Sequence, residues 1–285
     1  MMTRDRITRL LRSRTPGGWA ATVAIYALAL TWLYPFAWMV AASLKPTGQI
    51  YTTALFEGDF TFDNFRFLFA TADKLHRPFL QALGISAIVT LSVTASVLLT
   101  SAFIAFALAR LRFPGRRLFG DFLLIQMVIP TTLFILPLFV LIKQLSLLNS
   151  LGALIFPAMM SGWGIYMMSQ SFKAMPEEFL DAARLDRASL WQMVMKVVVP
   201  LNASIIAIVA LFTFTGTWDN FLWPLMTISD TDRMPLSVLL ATFSKQYGGY
   251  AGPVMAGAVL QTLPLVMLFI LFRRHFLQGM ALTLK

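Results

Sequence analysis

The chain has 285 residues, 58% of them hydrophobic and 13% charged, with a mean hydropathy of +0.73 and a formal net charge of +10. So apolar a composition excludes a soluble domain. The absence of cysteine excludes disulfides, thiolate metal sites and cysteine nucleophiles.

Six charge-free runs, 15–44, 78–109, 122–142, 144–172, 197–218 and 246–272, each reach the roughly 20 residues that span a bilayer as helix. They predict an all-α integral membrane protein with six transmembrane helices. With the N-terminus inside, sixteen of the lysines and arginines fall on inner segments and seven on outer ones. The positive-inside rule then puts both termini in the cytoplasm, and the basic balance reads as topology, with no nucleic-acid partner. The expected layout is a basic arm at 1–18, a membrane domain at 19–275 with outer loops at 45–78 and 224–253, and a tail at 276–285.

In chain order, the first run follows five arginines at positions 4–14 and is too long for a signal peptide, so it reads as a retained span. The outer segment contains SLKP at 43–46 and TFDNF at 61–65. The second span carries two hydroxyl rows at spacing four, Ser86, Thr90, Thr94 and Ser92, Ser96, Thr100. Such residues permit close helix approach and bond their own backbone. The turn RLRFPGRR, 110–117, has no phosphate-cradling glycine loop near it. Pro130 and Pro137 in the third span, Pro157 in the fourth and Pro264 in the sixth predict bent helices.

The longest polar break, MPEEFLDAARLDRASLWQMVMKVVVP at 175–200, has strong helix grammar. Pro176, Glu177 and Glu178 suit a first turn. Phe179, Ala182, Ala183 and Asp186 then share a face at i, i+3, i+4 and i+7, flattened by the two alanines. Ser189 is placed to cap a second helix from Leu190. Two short helices with a small-residue knuckle, over 175–193, predict a docking element. Further on, TGTWDNFLWPL at 215–225 places Trp218 and Trp223 where an outer aromatic belt would lie. The loop after it includes Gln246, Tyr247 and Tyr250, with Gly248 and Gly249 giving it reach.

These motifs resemble the permeases of binding-protein-dependent ABC importers. Their EAA loop reads EAA, three residues, Gly, nine residues, I-x-L-P. The same spacing holds here as Asp181-Ala182-Ala183, then Arg187, then Val197, Val199 and Pro200. Asp181 stands for the glutamate and Arg187 for the glycine. If that glycine is left-handed, an arginine there costs about 1–2 kcal/mol; otherwise the turn is built differently. SLKP with TFDNF, the Phe113-Pro-Gly-Arg turn, and TGTWDNFLWP, whose Asp219-Asn220 inverts the family's order, resemble the carbohydrate branch and the maltose system's smaller permease. The end, RRHFLQGMALTLK, keeps that branch's Arg273, Phe276 and Gly279 but shortens its glycine-rich close.

The resemblance implies a type I importer permease fold in a bacterial or archaeal cytoplasmic membrane. It implies a second permease as heterodimer partner, two ATPase subunits that hold ATP and Mg, and an extracytoplasmic solute-binding protein. Glu178, Asp181, Ala182, Ala183, Leu185, Asp186 and Arg187 would couple to the ATPases. Gln246, Tyr247 and Tyr250 would reach the binding protein, and Trp218, Asp219 and Asn220 would lie along the pathway. The substrate would be a di- or oligosaccharide, with glycerol 3-phosphate or a polyol as the alternative. The chain itself has no catalytic, cofactor or metal-site candidates: HExxH, GxSxG and Walker motifs are absent. A carrier working alone usually keeps an ionisable group within the membrane, and the spans have none.

Overall fold

The computed structural model describes residues 16–50, 58–72, 78–246 and 251–283. The fold is built around α3, Phe79–Arg110, which packs against α7, Gly162–Ala174, and α11, Ala203–Trp218. Its apolar side chains Phe79, Val89, Val93, Val97, Ala105 and Phe106 are buried, and the buried hydroxyls Ser86, Thr90 and Ser101 interrupt them. In so apolar a chain the small residues matter more than the hydrophobic ones, because they let neighbouring backbones close in. The helix α1, Pro16–Ser43, leans on α14, Ala251–Thr283, and is otherwise exposed along its apolar length.

Among the described residues, four helices are long and apolar enough to cross a membrane, or six if each of two bent pairs counts as one. The bends have local causes. The first pair, α4, Arg116–Val128, and α5, Ile135–Gln144, turns by 94° at Pro130. The ring forces Ile129 into an extended conformation, φ −78° and ψ 123°, and ends the helix there. Pro137 sits in the first turn of α5, where its missing N–H breaks nothing. Ser146, φ 56°, then closes α5: its N–H bonds the Lys143 carbonyl, and that of Leu147 bonds Ile142. A short α6, Leu151–Ile155, capped by Ser150, leads through Pro157 to α7.

The second pair bends by 89° at Asn202, between α11 and a short helix α10, Val199–Leu201. The Asn202 amide donates to the Val198 carbonyl at 2.8 Å and meets Met175 Sδ, while its oxygen accepts from Ser171 on α7 at 2.7 Å. The Val198 carbonyl, which the Asn202 N–H already reaches at 3.1 Å, thus gains a second bond, and the same buried side chain ties the bend to α7.

The segment expected as an outer loop at 45–78 contains a helix α2, Asp63–Arg66, continued by a π turn, Phe67–Thr71. Asn64 is buried and donates to the carbonyls of Ser43 and Lys45, both at 2.8 Å. This bond joins the two halves of the SLKP and TFDNF motif. The other expected loop, 224–253, is largely helical. After α12, Leu222–Thr227, comes α13, Leu236–Gln246, whose Leu236, Val238, Leu239 and Phe243 are core residues. Ser86 Oγ on α3 accepts from the Leu236 N–H at 2.8 Å and fixes the start of α13.

Candidate coupling site and pathway face

The predicted docking element is a helix–turn–helix at the end of the bundle that carries Arg110 and Lys173. Its first helix, α8, spans Glu178–Leu185, with Glu178 and Asp181 in the first turn where the helix dipole favours acids. Arg184 pairs with Asp181 at 2.7 Å and approaches Glu177 at 3.9 Å. All three are well exposed, so the pairs orient side chains more than they stabilise. Arg187 is left-handed at φ 53°; its N–H bonds the Arg184 carbonyl, and the Ala188 N–H bonds the Ala183 carbonyl, both at 3.0 Å. That is a complete Schellman cap with arginine at the position glycine usually holds. Of the two alternatives left open by the sequence, the strained one applies.

The second helix, α9, Leu190–Gln192, starts in a full capping box. Ser189 Oγ accepts from the Gln192 N–H, and the Gln192 side chain accepts from the Ser189 N–H at 2.8 Å. The chain continues as a π-helical stretch, Met193–Val198, on which α8 rests.

One expectation is corrected here. Ala183 does not share the outer face with Phe179, Ala182 and Asp186: it is 7% exposed and turned inward with the fully buried Leu180. The outward face consists of Phe179, Ala182 and Asp186, with Leu185 at the tip, 85% exposed. The knuckle therefore presents one alanine flanked by large apolar side chains.

Two contacts fasten this element to the bundle. The indole of Trp191 stacks on Phe103 of α3. Arg110, at the end of α3, donates through Nε and Nη2 to the Phe172 carbonyl at 3.0 and 2.7 Å, and through Nη2 to that of Met175. Its guanidinium thereby satisfies the C-terminus of α7, at the negative end of that helix dipole. Arg116 does the same for α3, donating to Leu111 and Ala109 at 3.1 and 3.3 Å.

At the opposite end, the two indoles of the TGTWDNFLWP stretch turn inward, contrary to the aromatic-belt expectation, while Asp219, Asn220, Phe221 and Leu222 stay exposed. Trp218 is 4% exposed, and its Nε1 donates to the Gln261 carbonyl of α14 at 2.9 Å. Trp223 donates likewise to the Ala153 carbonyl of α6 at 2.9 Å. Both indoles are fasteners, because a buried N–H needs an acceptor. Asp219 is exposed and accepts from Gln261 Nε2 at 3.3 Å. Asn220 lies apart from Trp218, on a cavity of about 150 Å³ shared with Ser86, Thr90, Thr217 and Trp223. Of the three pathway candidates, only Asn220 lines this cavity. Of the loop candidates, Gln246 ends α13, while Tyr247 and Tyr250 lie outside the described residues.

Asn149 is a residue that sequence reasoning missed. Left-handed at φ 58°, it accepts at Oδ1 from the N–H groups of Ser229 and Asp230 at 2.6 and 3.1 Å, while Arg233 bonds its carbonyl. It locks the loop before α6 to the one after α12. An asparagine before Ser150 was the only local signal, and asparagine tolerates the left-handed region.

Comparison with known proteins places this geometry. Residues 98–282 match the family described as the binding-protein-dependent transport system inner membrane component. The arabinooligosaccharides transport system permease protein AraQ of Halalkalibacterium halodurans is 33% identical over 267 residues, 92% of this chain and 94% of that protein. The lactose transport system permease protein LacG of Rhizobium radiobacter is 31% identical over 275 residues, covering 96% and 98%. One chain of the crystal structure of a bacterial ABC transporter involved in the import of the acidic polysaccharide alginate superposes with a TM-score of 0.79. It shares 22% identity, over 93% of this chain and 98% of that one.

Proposed function

Because this chain belongs to the family of binding-protein-dependent transport system inner membrane components, we propose that it is the permease subunit of an ABC importer for a di- or oligosaccharide. It crosses the membrane six times, with the 94° and 89° pairs each serving as one broken span and both termini in the cytoplasm. It forms half of the translocation pathway beside a second permease. Two ATPase subunits hold ATP and Mg, and a binding protein delivers the sugar.

The observation that carries the coupling role is the knuckle at Phe179, Ala182 and Leu185. An apolar tip left exposed on a rigid, doubly capped helix–turn–helix needs a cleft to cover it. An ATPase that changes shape with ATP would move this tip. The stack at Phe103 and the Arg110 bonds to Phe172 and Met175 would pass that movement to α3 and α7. Energetically, ATP favours one of two global states, and the knuckle is where that preference reaches the membrane.

The substrate class rests on the oligosaccharide and lactose permeases to which the chain is similar over nearly its full length. Asn220 with the hydroxyls of Ser86, Thr90 and Thr217 offers neutral hydrogen-bonding groups suited to a sugar, and no cation among these four for a phosphate. The test is uptake into proteoliposomes holding the complete complex and its binding protein. ATP-dependent accumulation of a di- or oligosaccharide supports the reading. Accumulation of glycerol 3-phosphate alone would replace the substrate class, and gradient-driven uptake by this chain without ATP would replace the mechanism.

A further inference from the structure

Between the start of α4 and the C-terminal half of α7 lies a pocket of about 580 Å³ that the coupling role does not use. Arg116, Arg117 and Lys173 line it against a single carboxylate, Asp121, with Tyr166 and Gln170 adding polar edges. Arg116 is held in place by its bonds to the carbonyls of Leu111 and Ala109. Among the described residues, neither Arg117 nor Lys173 takes part in an ion pair. The pocket therefore has an excess of positive charge and free donors.

Beside it, sharing Phe113 and Gly115, runs a hollow of about 520 Å³ lined by Pro114, Leu118, Phe119 and Phe122. The apolar surface continues along α4 through Leu118, Phe122 and Ile125, all exposed and spaced i, i+4, i+7 on one side of the helix.

From this pairing of a basic cup with an apolar gutter, we propose that the site binds an anionic phospholipid. The phosphate lies among Arg116, Arg117 and Lys173, and an acyl chain lies along Leu118 and Phe122. Basic pockets between membrane helices favour such headgroups, because nearby lysines and arginines attract the phosphate. A soluble phosphate would satisfy the cup and leave the gutter bare. A zwitterionic lipid would fill the gutter but bring its own cation to the cup. With the topology proposed above, the lipid comes from the cytoplasmic leaflet; the headgroup chemistry does not rest on that topology.

The test is native mass spectrometry of the intact complex after exchange into equal amounts of phosphatidylglycerol and phosphatidylcholine. The expected result is a preference for phosphatidylglycerol that falls on the order of tenfold in R117Q/K173Q and several-fold in R117Q alone. R112Q, which removes a neighbouring charge outside the pocket, leaves the preference unchanged. Millimolar inorganic phosphate does not displace the lipid. Equal retention in wild type and R117Q/K173Q overturns the proposal. So does a site that takes free phosphate and shows no preference between lipids. The same spectra report whether the ATPase partners are present, so failure of the importer reading is seen separately.

Discussion

The indole of Trp191 lies stacked on the phenyl ring of Phe103, with centroids 5.1 Å apart and planes 20° from parallel. Trp191 belongs to the second helix of the docking element and Phe103 to the central helix α3. The stack is a direct mechanical contact between the exposed knuckle and the core of the bundle. Such pairs contribute about 0.5–1.5 kcal/mol beyond the area they bury. Trp191→Ala should leave ATP hydrolysis by the assembled complex present while lowering sugar moved per ATP several-fold, and Trp191→Phe should restore most of it. Paired ATPase and uptake assays check this; unchanged stoichiometry in Trp191→Ala would remove the stack from the coupling route.

The left-handed Arg187 carries a strain of about 1–2 kcal/mol. Arg187→Gly relieves it, less about 0.5–1 kcal/mol for glycine's extra freedom in the unfolded chain. The complex should gain a small amount of thermal stability and keep its coupling. Arg187→Val, with a branched Cβ in the same conformation, should lose stability and expression. Melting curves of the purified complex decide between them, and a large loss in Arg187→Gly would mean that the arginine side chain makes an essential contact.

The two alanines of the knuckle should respond differently. Ala183 is buried, so Ala183→Trp overpacks the interior at a cost of about 1–3 kcal/mol or more and should reduce assembly. Ala182 is exposed, so Ala182→Trp should fold normally yet fail to retain the ATPase subunits. Expression level and co-purification, measured for each, separate the two effects.

Gly252, near the start of α14, lies against Asn64: a Cβ built there would sit 2.2 Å from Asn64 Oδ1. Gly252→Ala should therefore destabilise the complex, because Asn64 cannot retreat without releasing the Ser43 and Lys45 carbonyls. Adding Asn64→Ala should make the second substitution nearly free, a coupling seen in a double-mutant cycle of melting temperatures. Additive losses would show that the two residues do not compete for that space.

Much of the architecture was legible because it is written in local patterns. The charge-free runs mark the long helices, Pro130 marks the break after α4, and Ser189 marks the start of α9. The spacing of a family motif raised a left-handed position at Arg187 without deciding it, since arginine carries no such preference itself; the backbone decides it at φ 53°. What stayed hidden depends on partners far along the chain. Asn64 satisfies the Ser43 and Lys45 carbonyls, Asn202 accepts from Ser171, and Asn149 accepts from distant N–H groups; nothing in their spacing reveals it. The helix α13 was hidden because Leu236–Gln246 is too short to span and follows a proline, so it reads as loop. Trp218 and Trp223 sit where an interfacial belt would, but the acceptors on Gln261 and Ala153 draw them inward. Ala183 was misplaced because an eight-residue helix has two plausible faces, and the π-helical stretch on which it rests decides between them.

The central claim is that the knuckle docks on an ATPase. The chain contains no cysteine, so a single one at Leu185, whose side chain is 85% exposed, gives an unambiguous probe. The measurement is crosslinking of Leu185→Cys, in native membranes, to the subunits that co-purify with this chain. The account predicts a crosslink to the nucleotide-binding subunit whose yield changes when ATP is added. A Leu185→Cys chain that reacts freely with a soluble thiol reagent in the assembled, transport-competent complex, and never crosslinks to an ATPase, would contradict it.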